Sequence, residues 1–151
     1  MKYKSDYLNE INQRGFIYQA SDIEQLDKLM SKKSITAYIG FDITSDSLHV
    51  GSMVQLMLLY WLNFYDHNTI ALMGGGTTLV GDPSGKDESR KIINPNEIEN
   101  NIKKIRKIFS KFIDLNNKGK IINNNDWLSS LNYIDFLRDI GSKITINKML
   151  T

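Results

Sequence analysis

The chain contains no cysteine at any of its 151 positions. This absence excludes disulfide bonds, thiolate zinc sites, iron–sulfur clusters and a cysteine nucleophile. Histidine is scarce as well, because only His49 and His67 occur, and two imidazoles are too few for a typical histidine-rich metal site. Since a protein without disulfides suits a reducing compartment, we expect a cytoplasmic location.

Long hydrophobic runs and charge of one sign are also missing. The most apolar stretch, residues 53–65, has about 13 residues, whereas a membrane-spanning helix needs about 20. The first ten residues contain no apolar segment of the signal-peptide type. Nineteen Lys and Arg against 17 Asp and Glu leave a net charge of +2. We therefore expect no membrane partner and no surface wholly devoted to polyanions, while a local nucleic-acid contact remains open.

What the chain does contain is the composition of one ordinary folded domain, 41% hydrophobic and 24% charged. Its first half predicts two helices, a strand and a third helix. The predicted elements are a helix over residues 5–14 capped by Ser5, a helix starting at the capping box Ser21–Glu24, a strand over 35–41, a polar connector over 42–48 and an apolar helix over 49–65.

The second half continues the alternation of strands and helices. After a break at Asn68-Thr69, the predicted elements are a strand over 70–73, a long loop over 74–90, a helix capped by Asn94 and ending near Asn116-Asn117, a strand at 121–122 and a helix over 134–140. This order predicts an α/β fold with a Rossmann-like parallel sheet flanked by helices and preceded by two N-terminal helices. Because ligands bind at the carboxyl ends of parallel strands, residues 40–52 and 74–90 are the candidate ligand loops.

The glycine-rich loop fits neither of two familiar phosphate-binding motifs. A Walker A loop fails because Asp87 follows Gly85-Lys86 and Val80 stands at the position of the first glycine. The dinucleotide fingerprint fails because Leu79 stands at the position of the third glycine. The loop is therefore glycine-rich for another reason.

A histidine stands at the predicted start of the apolar helix, directly after a strand and its connector. Helix N-termini offer free N–H groups and a positive dipole end, which suit a phosphate. His49 can donate a hydrogen bond to charge that develops on a transferring phosphate, and Gly51 leaves room for a purine or ribose. Taken alone, this spacing is a weak signal and favours the structural alternative of a capping histidine and a packing glycine.

Four motifs taken together are far more specific than any one of them. They are Tyr38-Ile39-Gly40-Phe41-Asp42, Thr44 to Gly51, Gly81 to Lys86 with Arg90, and Asn125-Asp126-Trp127. In this order they resemble the N-terminal catalytic region of bacterial-type tyrosyl-tRNA synthetases, which are class I aminoacyl-tRNA synthetases. The resemblance runs from about residue 8 to residue 150. It implies N-terminal helices over 1–34 and the first part of the class I catalytic domain, an incomplete one, over 35–151.

The resemblance also implies a nucleotide site. His49 would stabilise the ATP phosphates during adenylation, and Gly51 would let the adenine pack on the helix. Ser52 stands where the family has its second signature histidine, and its hydroxyl can still donate a hydrogen bond. The implied ATP-binding residues are Gly40, Asp42, His49, Gly51 and Ser52. The implied catalytic residues are His49, Ser52 and Thr44 with Lys86 and Arg90, the last two meeting the pyrophosphate.

A tyrosine pocket is implied as well. The Tyr38 hydroxyl would meet the phenolic hydroxyl of the substrate, and Asp82 would meet its ammonium group. Thr77 and Asn124 would line the same pocket, with Trp127 beside it. Three of these residues have a structural alternative. Tyr38 could be a packed strand tyrosine, Asp82 a turn aspartate and Trp127 a core residue.

The implied activity is that of a ligase, tyrosine–tRNA ligase, which joins tyrosine and ATP into tyrosyl-adenylate and then transfers tyrosine to tRNA(Tyr). Mg²⁺ would accompany ATP as substrate without a protein-bound metal, and a homodimer is expected. The family's Tyr-x-x-x-Gln-x-x-Asp helix, its Lys-Met-Ser-Lys-Ser loop and its anticodon-binding domain do not occur in this sequence. We therefore expect a partial catalytic domain that is inactive alone. Two alternatives stay open, which are a non-catalytic synthetase fragment or binding module, and another nucleotidyltransferase.

Overall fold

The computed structural model describes residues 2–81, 93–145 and 147. Three strands alternate with seven α-helices and one 3₁₀ turn in this part of the chain. They are α1 (Asp6–Gln13), α2 (Ile23–Met30), β1 (Thr36–Phe41), α3 (Val50–Phe64), β2 (Asn68–Met73), α4 (Gly75–Val80), α5 (Pro95–Phe109), β3 (Gly119–Asn123), α6 (Asn125–Leu128), α7 (Tyr133–Asp139) and the 3₁₀ turn Gly141–Lys143.

The three strands form one parallel sheet in the order β1-β2-β3. Phe41 is in register with Met73, and Met73 is in register with Asn123, so all three strands end at the same level. The loops that follow them therefore begin at one edge of the sheet. The prediction of an α/β fold with a parallel sheet is confirmed.

Two buried clusters form the core, one on each side of α3. The first packs β1 and β2 against α3 and α5, and α3 contributes Leu56 and Leu59 to it. The second packs α1 and α2 against α3, and here α3 contributes Leu62. This double role explains why the helix is apolar on nearly every side. Within the part of the chain that the structure describes, no helix is both long enough and apolar enough to cross a membrane.

The sequence predicted the N-cap residue of α1 correctly and that of α2 incorrectly. Ser5 caps α1 as expected, since its Oγ accepts a hydrogen bond from the Leu8 N–H at 3.4 Å. The predicted capping box at Ser21 is wrong by one residue. Asp22 caps α2 instead, and its Oδ1 accepts from the Gln25 N–H at 2.9 Å, because Gln25 is the third residue of the helix that begins at Ile23.

Three predicted boundaries also change. The break at Asn68-Thr69 is wrong, because the Asn68 N–H bonds to the Ile35 carbonyl at 2.8 Å and Thr69 is fully buried, so β2 begins there. The loop predicted from residue 74 instead begins with helix α4. Finally, α5 ends at Phe109, well before Asn116, because the chain turns to bury Ile113 ahead of β3.

Candidate active site

The carboxyl edge of the sheet is held together by backbone hydrogen bonds between the segments that leave it. The Phe41 carbonyl at the end of β1 accepts from the Gly74 N–H at 2.8 Å. The Met73 carbonyl at the end of β2 accepts from the Asn124 N–H at 2.9 Å. The connector after β1, the start of α4 and the start of α6 therefore meet where a parallel sheet binds its ligands.

A cavity of about 470 Å³ lies between the end of β1, the connector and the first turns of α3. It brings together all five residues that the sequence predicted for ATP, two of which (His49 and Ser52) were also predicted to be catalytic, and a third predicted catalytic residue. These are Gly40, Asp42, His49, Gly51 and Ser52, with Thr44. Gln55 also lines the cavity and was not predicted. The sequence could have indicated Gln55, because a residue four positions after Gly51 lies on the same face of the helix.

His49 is the N-cap of α3, and its imidazole has a defined orientation. Its Nδ1 accepts a hydrogen bond from the Gly51 N–H at 3.0 Å. The proton of a neutral ring therefore lies on Nε2, since a nitrogen that accepts a hydrogen bond carries no proton. The Ser52 Oγ lies 3.5 Å from that Nε2. In this tautomer the Nε2–H donates to the Ser52 Oγ across this long contact, and the Ser52 hydroxyl keeps its own proton to donate elsewhere.

The structural alternative of a capping histidine and a packing glycine is confirmed at Gly51. A Cβ added there would lie 2.8 Å from Cε1 and 3.0 Å from Nδ1 of His49, closer than carbon atoms normally approach. The imidazole thus lies directly over the glycine. The missing side chain makes room for the histidine ring itself. Gly51 therefore supports the cap in addition to any contact it makes with a purine.

The residues predicted for a tyrosine pocket fall into two groups, one on a face of the sheet and one at its carboxyl edge. Tyr38 stands on β1, with 68% of its surface exposed. It shares a face of the sheet with Ile70 and Lys120, which are its neighbours in register on β2 and β3. That face is opposite the one carrying Phe41 and Met73, which lie in the core. In this structure the phenol is therefore exposed and accessible to a ligand.

Thr77 and Asn124 form a connected pair at the carboxyl edge. The Asn124 Nδ2 donates to the Thr77 Oγ1 at 3.3 Å, and the same hydroxyl donates to the Gly74 carbonyl at 3.1 Å. The Asn124 Oδ1 accepts from the Gly76 N–H at 2.7 Å. Asn124 thereby fixes the first turn of α4, so its amide has a structural role besides any contact with a substrate.

Three predicted site residues, Asp82, Lys86 and Arg90, lie outside the described residues, so their roles stay predictions. Trp127 lies on α6 with 43% of its surface exposed, which contradicts the alternative of a core residue. Within the described ranges, no three His, Asp or Glu side chains are grouped closely enough to hold a metal ion.

The second histidine, His67, is structural. It is buried, its Nδ1 accepts from the Ile35 N–H at 3.3 Å, and the edge of its ring meets the Tyr7 ring. Burial lowers the pKa of His67 and raises the pKa of Tyr7 to about 12, since both charged forms would be poorly solvated. Both groups are therefore neutral at pH 7 and hold α1 against the sheet.

Comparison with known proteins places these features in a family. The family model described as class I tRNA synthetases (W and Y) matches residues 30–151. The tyrosine–tRNA ligase of Xanthobacter autotrophicus is 51% identical over 149 residues, which are 99% of this chain and 36% of that protein. The tyrosine–tRNA ligase of Bartonella henselae is 49% identical over 154 residues, covering 100% of this chain and 37% of that protein.

A solved structure agrees with the sequence matches. The C-terminally truncated mitochondrial tyrosyl-tRNA synthetase of Aspergillus nidulans superposes with a TM-score of 0.80 at 26% identity, covering 95% of this chain and 44% of that one. The chain spans little more than a third of the length of the curated relatives it matches.

Proposed function

The chain belongs to the class I tRNA synthetases for tryptophan and tyrosine, and from this premise we propose that it forms part of the active site of a tyrosine–tRNA ligase. The resemblance to bacterial tyrosyl-tRNA synthetases that the motifs suggested is confirmed by relatives about half identical over the whole chain. The proposed reaction joins tyrosine and ATP into tyrosyl-adenylate and pyrophosphate. Tyrosine then moves to the terminal adenosine of tRNA(Tyr), and AMP is released.

The observation that carries the proposal is the cavity between β1, the connector and α3. It collects Gly40, Asp42, His49, Gly51 and Ser52 at the carboxyl edge of a parallel sheet. These residues are separated by up to a dozen positions in the chain, and only the β1–α3 crossover brings them together. Their side chains combine a carboxylate, an imidazole, a hydroxyl and two glycines, which is a chemistry suited to a ribose and its phosphates.

In the proposed first step, a carboxylate oxygen of tyrosine attacks the α-phosphorus of ATP. The bond between the α-phosphorus and the bridging oxygen breaks, and pyrophosphate leaves. The Nε2–H of His49 donates to a phosphate oxygen as negative charge accumulates, with the Ser52 hydroxyl as a second donor. Mg²⁺ enters with ATP as part of the substrate. The protein contributes position and charge stabilisation and forms no covalent intermediate.

Tyrosine selection is proposed for the sheet face and edge next to this cavity. The exposed Tyr38 hydroxyl would pair with the phenolic hydroxyl of the substrate, while Asp82 would bind the ammonium group. A phenylalanine in the same place would leave a polar group unpaired, which disfavours it. Thr77, tied to Asn124, would border the pocket, and Lys86 and Arg90 would meet the leaving pyrophosphate.

A homodimer in the cytoplasm completes the proposal. Large apolar side chains are exposed along one stretch from α6 to the residue after the 3₁₀ turn, and they are Leu128, Leu131, Tyr133, Ile134, Phe136, Leu137, Ile140 and Ile144. Exposed apolar side chains concentrated in one segment support a protein–protein contact there. The absence of cysteine supports a reducing compartment.

ATP titration of the 151-residue chain tests the nucleotide site. With Mg²⁺ present, we expect saturable amide shifts concentrated in residues 40–52 and measurable binding heat. Tripolyphosphate serves as a control that separates phosphate attraction from recognition of adenosine, and it should bind more weakly. Shifts scattered over the lysines of α5, or equal binding of tripolyphosphate, would contradict the proposal and favour a synthetase-like module without a nucleotide site.

A further inference from the structure

The connector between β1 and α3 carries two of the cavity residues, Asp42 and Thr44, yet it has no regular secondary structure. Residues 42–48 therefore lack the ladder of backbone hydrogen bonds that would hold them in a strand or helix. Any fixed orientation of Asp42 and Thr44 has to come from contacts with other elements.

Those contacts converge on Ile43, the residue between the two. Ile43 is fully buried, and its side chain lies in the same core cluster as Ile98 and Ile105 of α5. Its N–H donates to the Thr78 Oγ1 of α4 at 3.2 Å. Its carbonyl accepts from the Asn101 Nδ2 of α5 at 3.5 Å, a long hydrogen bond. Both backbone groups of this one residue are thus held by side chains of other helices.

Asn101 is an unusual residue for its position. It lies three residues after Ile98 and four before Ile105, so it interrupts the isoleucine stripe on the buried face of α5. Only 6% of its surface is exposed. A buried amide is unfavourable unless its polar atoms are hydrogen-bonded. The hydrogen bond to the Ile43 carbonyl satisfies the buried amide group of Asn101.

A second contact from the same helix face reaches the connector further along. Lys104, three residues after Asn101, has its Nζ 2.7 Å from the Asp46 Oδ2. This ion pair keeps the pKa of Asp46 below its usual range. Because both side chains are exposed, the pair is screened by solvent and adds little by itself. Asn101 is the buried contact of the two.

We propose that Asn101 is a positioning residue for the nucleotide cavity, in that it holds the Ile43 carbonyl and so orients Asp42 and Thr44 toward the ligand. This inference rests on the proposed nucleotide site for its function. The hydrogen bond itself exists in the free protein, so it can be tested separately. The residue lies on a helix that supplies none of the predicted ATP contacts, which is why the motifs did not reveal it.

The test uses the 151-residue chain with Asn101→Leu, which keeps the volume and removes the donor. Asn101→Ser is a second variant, because its hydroxyl is one atom too short to span a bond that is already 3.5 Å long. The matched control is Asn100→Leu, the exposed neighbour on the same helix. Three quantities are measured for each protein: the ¹³C chemical shift of the Ile43 carbonyl, the dissociation constant of Mg·ATP and the thermal unfolding midpoint.

We expect both Asn101 variants to move the Ile43 carbonyl ¹³C resonance upfield, because the carbonyl loses its donor, and to weaken ATP binding about two- to tenfold, the factor that one net hydrogen bond represents. The Asn100 variant should change neither. An unchanged Ile43 carbonyl shift would overturn the inference. So would a lower unfolding midpoint with the ATP constant unaltered, since that result assigns Asn101 to stability alone. If the unaltered chain bound no ATP, the proposed nucleotide site would fail, while a moved carbonyl resonance would still establish the contact.

Discussion

Replacing Gly51 by alanine should change the stability of the protein little but lower the rate of the proposed reaction strongly. The added methyl carbon would lie 2.8 Å from Cε1 and 3.0 Å from Nδ1 of His49, so one of the two residues has to move. The obstacle is the end of a side chain, and the imidazole is exposed. The ring therefore rotates away, and the hydrogen bond from the Gly51 N–H to Nδ1 is lost.

Two opposing terms set the effect on stability. Loss of the cap hydrogen bond costs about 0.5–1.5 kcal/mol. Alanine is more favourable than glycine inside a helix by roughly 0.5–1 kcal/mol. The sum is within about 1 kcal/mol of zero, so the folded state should survive. Catalysis has no such compensation, because a displaced donor to the transition state lowers the rate by about 10²–10³.

The assay needs an active protein, and a chimaera supplies one. Residues 1–151 replace the matching segment of the Xanthobacter autotrophicus tyrosine–tRNA ligase, and tyrosine-dependent ATP–pyrophosphate exchange is measured beside thermal unfolding. Gly141→Ala is the control, since a Cβ there would meet Leu137 only at ordinary distances of 3.4 and 3.9 Å. If Gly51→Ala kept full exchange activity, the reasoning from the position of the imidazole would be refuted.

Four further predictions concern the two histidines, the exposed tyrosine and the chain alone. In the chimaera, His49→Ala should lower adenylate formation about 10²–10³-fold in stopped-flow measurements and barely change tyrosine affinity, because the donor acts in the transition state. Tyr38→Phe should reduce the ratio of kcat/KM for tyrosine over phenylalanine, and an unmoved ratio would remove Tyr38 from the pocket. Because burial lowers the folded-state pKa of His67, the unfolded chain binds the extra proton as pH falls below about 6.5. Stability in urea should therefore decrease from pH 7.5 to pH 5.5, and His67→Gln should flatten that dependence. The 151-residue chain alone should show no pyrophosphate exchange, and clear activity from a monodisperse sample would contradict this expectation.

The elements that the sequence predicted well are those whose signals are local. The helix at α5 began with Asn94 as cap and Pro95 in its first turn, and the structure has the Asn94 side chain accepting from the Asn96 N–H at 2.9 Å. The strand β1 was within one residue of its prediction, since β-branched and aromatic side chains fit a pleated surface. The alternation of such elements sufficed to predict the parallel sheet.

The errors arose where distant residues override local preference. Helix α4 starts in a run of three glycines, which disfavours a helix. It forms because Asn124, 48 positions later, accepts from the Gly76 N–H. Likewise the sequence predicted a break at Asn68 and Thr69, but both belong to β2, because Ile35, just before β1, and Lys118, just before β3, accept hydrogen bonds from their N–H groups. Both cases depend on pairings that no short window of sequence contains.

By itself, then, the sequence determined the family and the parallel α/β class and supplied the residue types of the proposed nucleotide site, because motifs and periodicity are properties of neighbours along the chain. The tertiary structure alone decided that the His49 ring lies over Gly51 and that Asn124 holds the first turn of α4. It alone also decided that Asn101 holds the Ile43 carbonyl. Each of these is a contact whose geometry depends on packing, and the Asn124 and Asn101 contacts join elements far apart in the chain.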